Sequence, residues 1–184
     1  MENKFYHGSS VLFDKFDLAH ALEGAGKVKF GYGVYVTSSY ESAAHYSAVE
    51  GAQHHYVYTV EVPELKEGNY IAFKQPVHHA IVEAVSKRLA KEIPAEVTVD
   101  GKLFRKYLAD HFDKKDKLAG ERAAAELLHS VGVKFIIWPY NWTKGYSGIT
   151  NRAILCDKEA RIVAIDEVEL DGKQKFKSII KQAK

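Results

Sequence analysis

Apolar and polar positions alternate most strictly in "HHYVYTVEVPEL", residues 54 to 65, and that two-residue period predicts a strand with one buried face. Shorter alternations predict strands in "KFYHGSS" near the start and in "VYVTS". Ser39 behind the latter stands where it can cap a helix running through "YESAAHYSAVE". In "QPVHHAIVEAVSKRLAKEI" the apolar positions Val77, Ile81, Ala84, Val85 and Leu89 recur at helical spacing, with Pro76 near the first turn. "FRKYLADHF" predicts a shorter helix. "ERAAAELLHSVGVKFIIWPY" predicts a helix stopped near Gly132 and then a strand from Phe135 to Trp138. Two final strands are expected in "NRAILCD" and "ARIVAIDEVEL", and the basic tail "GKQKFKSIIKQAK" reads as a peripheral helix or a frayed end.

Between these elements, "VLFDKFDL" reads as a loop folding Phe13 and Phe16 back onto the core, and the glycine-spaced "EGAGKVKFGYG" as a longer loop. Strands therefore cluster towards both ends of the chain, with helices in the middle. No repeat, Pro-rich linker or break in composition divides residues 1–184, so the expectation is one α+β domain.

Composition narrows the picture only a little. The 184 residues suffice for a sizeable core, and a formal net charge of +2 does not by itself call for a nucleic-acid partner. A single cysteine, Cys156, excludes an internal disulfide framework and suits a reducing compartment. No apolar run approaches the ~20 residues that span a bilayer, and "MENKFYHGSS" has no signal-peptide core. The expectation is a protein with no membrane association that works in the cytoplasm or is delivered there by a route needing no such signal.

Several chemical motifs fail on their spacing. "GAGKV" lacks the outer glycine and the Ser or Thr of a phosphate-binding P-loop, since Ala21 and Val28 stand there. The pairs His54-His55 and His78-His79 point apart on any regular element, and Cys156 has no partner cysteine, so no metal is expected.

What remains is "FYHGSS" followed some distance later by "FGYGVYVTSSYESAAHYS". Together they resemble the ADP-ribosyltransferase superfamily, in its His-Tyr branch of poly(ADP-ribose) polymerases and diphtheria-toxin-like enzymes. The match is closest to the small transferase domains of phage and mobile-element polyvalent proteins. In that branch a strand ends in an aromatic-His-Gly-Ser or -Thr sequence, here Tyr6 to Ser9. A Gly-x-Gly-x-Tyr strand follows, here Gly31 to Tyr35, and then a helix with a second aromatic, here Tyr46. The resemblance covers most of the chain, but only these two motifs are specific.

The resemblance implies an ADP-ribosyltransferase-like fold of split antiparallel sheets with flanking helices, and NAD as substrate. It places His7 on the adenosine-side ribose, the Gly8 backbone on the carboxamide with Ser9 assisting, and Tyr35 and Tyr46 on either side of the nicotinamide ring. The chemistry agrees: a flat amide-bearing ring asks for aromatic faces and a closely approaching backbone. Loss of nicotinamide from the ribose passes through an oxocarbenium-like species.

The chain departs from the family at its third motif, where active members carry a glutamate just before the strand matching "AILC". Arg152 occupies that position and Asn151 precedes it. Asn151 can bond a ribose hydroxyl and is the preferred contact, with Glu167 and Glu169 in reserve. The function implied is transfer of one ADP-ribose to a protein or nucleic-acid acceptor, in a toxin, phage or defence setting where an antitoxin or immunity partner would be expected. The third motif lacks the paired carboxylates of arginine-modifying relatives. Alternatives are an inactive NAD-binding member of the fold and an RNA 2′-phosphotransferase. The latter would draw its phosphate-binding groups from Arg88, Arg105, Arg122 and Arg152.

Overall fold

The computed structural model describes residues 4–20 and 28–183. Most of the "GAGKV" stretch and the first part of the glycine-spaced loop lie outside them. The chain runs through β1 (Lys4–Ser9), β2 (Val34–Thr37), α1 (Tyr40–Tyr46), β3 (Tyr56–Glu61) and β4 (Tyr70–Ala72). Four helices follow: α2 (His79–Leu89), α3 (Ala95–Thr98), α4 (Gly101–Phe112) and α5 (Lys117–Ser130). Then come β5 (Phe135–Pro139), β6 (Thr150–Ile154), β7 (Arg161–Leu170) and β8 (Phe176–Gln182). The class is α+β, with the described strands in one mixed sheet ordered β4-β5-β6-β2-β1-β3-β7-β8.

Local chemistry explains where the helices start and stop. The Ser39 side chain accepts from the Ser42 N–H at the start of α1, and Asp100 and Asp116 cap α4 and α5 in the same way. Helix α5 ends at Ser130 just before Gly132, whose φ of 94° suits a residue without a Cβ. Pro76 lies outside α2, which His78 caps instead.

Three features depart from the sequence expectation. The basic tail is neither helical nor frayed: β8 pairs antiparallel with β7 from Phe176 to Gln182. Its lysines hide the alternation, and charged side chains are what an exposed edge strand carries to deter further pairing. Strand β4 was not anticipated, and it runs parallel to β5, so the sheet is not wholly antiparallel. The short helix α3 was not anticipated either.

The sheet nearly divides at one seam. Strand β1 runs opposite β3 from Lys4 through Ser9, but meets β2 only where Tyr6 faces Thr37. Helices α2, α4 and α5 cover one face of the β4-to-β2 half, burying Phe104, Leu108, Leu128 and Ile136. Helix α1 covers the same face of the other half through Ala43, Ala44 and Val57. Phe5, Tyr58 and Ile165 from one half share a core with Val36, Phe135 and Ile154 from the other, on the opposite face. Among the described residues no helix is long and apolar enough to cross a membrane.

Candidate active site at the seam of the sheet

The two N-terminal motifs meet at this seam. His7 Nδ1 lies 2.7 Å from the main-chain oxygen of Tyr35. A carbonyl can only accept, so Nδ1 carries the proton and Nε2 is left as an acceptor. The ring stands edge-on to Phe16, Phe13 and Tyr58, at centroid distances of 5.1, 6.0 and 5.9 Å. Burial lowers the His7 pKa, opposed by the bond to Tyr35, so the imidazole is neutral at pH 7. Tyr58 fixes the loop over it: its hydroxyl donates to the Val11 carbonyl at 2.8 Å and accepts from the Phe13 N–H at 2.9 Å.

On β2 the Tyr35 hydroxyl closes the preceding loop. It donates to the Gly31 carbonyl at 2.7 Å and accepts from the Phe30 N–H at 3.1 Å. Burial pushes its pKa up to about 12. Gly31 has a φ of 112°, and a Cβ there would lie 2.6 Å from Ile136 Cδ1 and 3.0 Å from Arg105 Cδ, so this turn needs glycine twice over. Beneath it Arg105 pairs with Glu121 almost out of solvent, and Phe30 stacks on Trp138 at 4.3 Å. Sequence reasoning missed that ion pair because its partners sit on different helices, with no periodic signal linking them.

Gly8 is tied to α1. A Cβ on Gly8 would come 1.8 Å from the Ala43 carbonyl oxygen and 2.9 Å from the Ser47 nitrogen. Such contacts leave no room for a side chain and bring α1, from Ala43 to Ser47 at its end, against the β1 backbone. The Ser9 hydroxyl accepts from the Val11 N–H at 3.0 Å. Tyr46 itself is 52% exposed.

Register then sorts the site residues between the two faces of the sheet. Tyr6 pairs with Thr37, and Thr37 with Asn151, so these side chains share a face. Because side chains alternate, Gly8 and Tyr35 lie on that face too, whereas His7, Ser9 and Arg152 lie on the other. The structure thus brings His7 to the Tyr35 main chain, not to its ring. Asn151 is 6% exposed, and its Oδ1 has no hydrogen-bond partner. The Arg152 guanidinium lies 4.0 Å from the Phe5 ring centroid and 5.0 Å from that of Phe135. Burial lowers its pKa to about 10, which leaves it a cation at neutral pH.

The other candidates have structural partners. Glu167 is buried and bonded to His54 at 2.7 Å and Lys181 at 3.0 Å, and Glu169 is bonded to Lys177 at 2.7 Å. Of the four arginines considered for phosphate binding, Arg105 is held by Glu121 and Arg122 by Glu126. The seam can therefore offer a neutral imidazole acceptor and a backbone stretch with one open edge and, on the opposite face, a buried Asn151 oxygen that lacks a partner and the Tyr35 ring. No family model, curated protein or solved structure matches the chain.

Proposed function

We propose that the chain is an NAD-dependent ADP-ribosyltransferase, with the two half-sheets forming an ADP-ribosyltransferase-like fold and the dinucleotide lying across the seam. The observation that carries this reading is the bond from His7 Nδ1 to the Tyr35 carbonyl. It joins the two specific motifs and leaves Nε2 to accept a hydrogen bond from a ribose hydroxyl. The open edge of β1 at Gly8 bonds the carboxamide, and the exposed Tyr46 ring at the end of α1 supplies a stacking face. Asn151 accepts from the second ribose once the seam opens onto its Oδ1, which is buried and otherwise lacks a partner. In the reaction the bond between ribose C1′ and the nicotinamide nitrogen breaks, and nicotinamide leaves with the electron pair. A nucleophilic atom of a macromolecular acceptor then bonds C1′ and gives up its proton.

The test is release of nicotinamide from NAD in the presence of a cell lysate, with transfer of a labelled ADP-ribose to protease- or nuclease-sensitive material. Absence of both NAD binding and nicotinamide release would overturn the reading. A second reading, NAD binding without turnover, is favoured by one observation: the side chain sharing the His7 face of β6 is the cation Arg152, not a carboxylate. A positive charge near C1′ opposes the oxocarbenium character of the transition state. Calorimetric NAD binding without nicotinamide release would select it.

A further inference from the structure

The loop between β5 and β6 exposes side chains that the seam does not use. Tyr140 is 47% exposed, Trp142 42% and Ile149 38%. The loop is nonetheless firmly built. The Tyr140 N–H donates to the Ile149 carbonyl at 2.9 Å, closing its base. Asn141 Oδ1 accepts from the Thr143 and Lys144 N–H groups, and the Tyr146 hydroxyl anchors the loop to the Phe73 and Ile137 carbonyls. A rigid loop spends little conformational entropy on binding, so its exposed aromatics are preorganised.

Within this loop a cleft of about 270 Å³ is lined by Tyr140, Asn141, Lys144 and Ile149. Lys74 Nζ lies 4.9 Å from the Trp142 ring centroid. Lys74 also has a φ of 60°, a left-handed conformation that costs a non-glycine residue about 1 kcal/mol. From Tyr140 to Asn151 the chain carries no acidic residue. The nearby Asp100 carboxylate is engaged, accepting from the Lys74 and Lys102 N–H groups at the start of α4. On the side towards the seam, the Ser38 N–H donates to the Thr150 carbonyl at 2.9 Å and the Thr150 N–H to the Ser38 hydroxyl at 3.0 Å, joining the end of the loop to the segment that enters α1.

We propose that Tyr140, Trp142, Lys74 and Lys144 form a binding surface for single-stranded nucleic acid. Half-exposed rings stack with unpaired bases whatever their sequence once Lys74 swings from the Trp142 face to a phosphate, and Lys144 meets a second phosphate. An acidic peptide would satisfy the lysines but leave the rings without planar partners, and a duplex would hide its base faces. If the transferase reading holds, the surface leads to the seam and names nucleic acid as the acceptor class. The binding itself does not depend on that reading.

The experiment is fluorescence anisotropy with labelled single strands of about twelve nucleotides, RNA in one arm and DNA in another, beside a blunt duplex and a poly-glutamate peptide. Quenching of Trp142, the exposed member of the two tryptophans, provides a second readout. Single strands of at least one sugar type should bind best. Two lysine-phosphate contacts predict an affinity loss of about sevenfold between roughly 50 and 200 mM salt. Trp142→Ala should weaken binding about tenfold. Lys74→Gly should weaken it about threefold while holding or raising the melting temperature, because it removes the ammonium and the backbone strain together. Lost affinity at an unchanged or higher melting temperature separates a binding role from a structural one if Trp142→Ala folds poorly. No binding of either single strand, equal binding of duplex, preference for the peptide, or full affinity in both variants would overturn the proposal. Calorimetric NAD binding by the wild-type protein, measured separately, reports on the seam alone.

Discussion

The two edges of strand β1 differ sharply. Towards β3 every residue from Lys4 to Ser9 has an opposite number, whereas towards β2 only Tyr6 does. The closed edge builds the core around Tyr58 and Ile165, where a backbone without partners would be costly. At the open edge a side chain substitutes for the missing ladder, with the His7 ring taking the Tyr35 carbonyl. A strand bonded along both edges is only a core element. One left open along half an edge can take a ligand amide where its neighbour has turned away.

Forcing a side chain between β1 and α1 should have the largest effect. Gly8→Val would drive a side chain into the Ala43 carbonyl, where a Cβ alone already sits at 1.8 Å. Helix α1 must lift or β1 must shift, and a destabilisation of about 3 kcal/mol is expected in urea melts. Wild-type stability in Gly8→Val would mean that α1 does not lie against β1 as described.

Next in size is removal of the His7 bridge. His7→Ala should weaken NAD binding or turnover at least tenfold, about 1.4 kcal/mol. A pH series sharpens the point. Because burial holds the folded His7 pKa below its ordinary 6.5, the unfolded chain takes up a proton first as the pH falls. The stability tied to neutral His7 is full above about pH 6.5 and declines as the pH drops towards the folded pKa. The difference in stability between wild type and His7→Ala should shrink over that window. A difference that grows on acidification would show that His7 is charged in the folded protein.

How much of this contrast was legible in the chain follows from its physical origin. The β1 and β2 motifs could be read because residue type and order are local, and β3 because its alternation is strong. The seam could not, since whether β2 follows β1 or turns away is set by packing on both faces. The sorting of Asn151 from Arg152 was equally hidden. Both lie on one strand, and only the pairing of Thr37 with Asn151 fixes which face each takes. Strand β4 escaped because Tyr70–Ala72 is shorter than any period can reveal, and its order comes from lying beside β5. The Arg105–Glu121 pair under Gly31 needed α4 and α5 to be docked before it existed at all.

The two β6 faces provide the third test, read as nicotinamide release. If the reacting ribose lies on the Tyr35 face, Asn151→Ala should lower the chemical step several-fold more than NAD affinity. A contact that strengthens as the glycosidic bond breaks acts on the transition state. If it lies on the His7 face, Asn151 changes should matter little, and Arg152→Glu should raise release by removing a cation and adding a carboxylate. Its melting temperature must be followed in parallel, since the new carboxylate would stand against the Phe5 and Phe135 rings.

The smallest effect separates the two tyrosines that the sequence treats alike. Tyr35 is built into the loop by two hydroxyl bonds, whereas Tyr46 stands half in solvent. Tyr35→Phe keeps the ring but strips the Gly31 carbonyl and the Phe30 N–H of their partner, so stability should fall by about 1 kcal/mol. NAD affinity should change less than threefold, because the flat face persists. Tyr46→Phe should leave both stability and affinity near wild type, and Tyr46→Ala should cost affinity without lowering the melting temperature. The pair of readouts matters more than either alone. Parallel loss of stability and affinity in Tyr46→Ala would make Tyr46 a packing residue of α1, and the open edge of β1 would then lack its stacking partner.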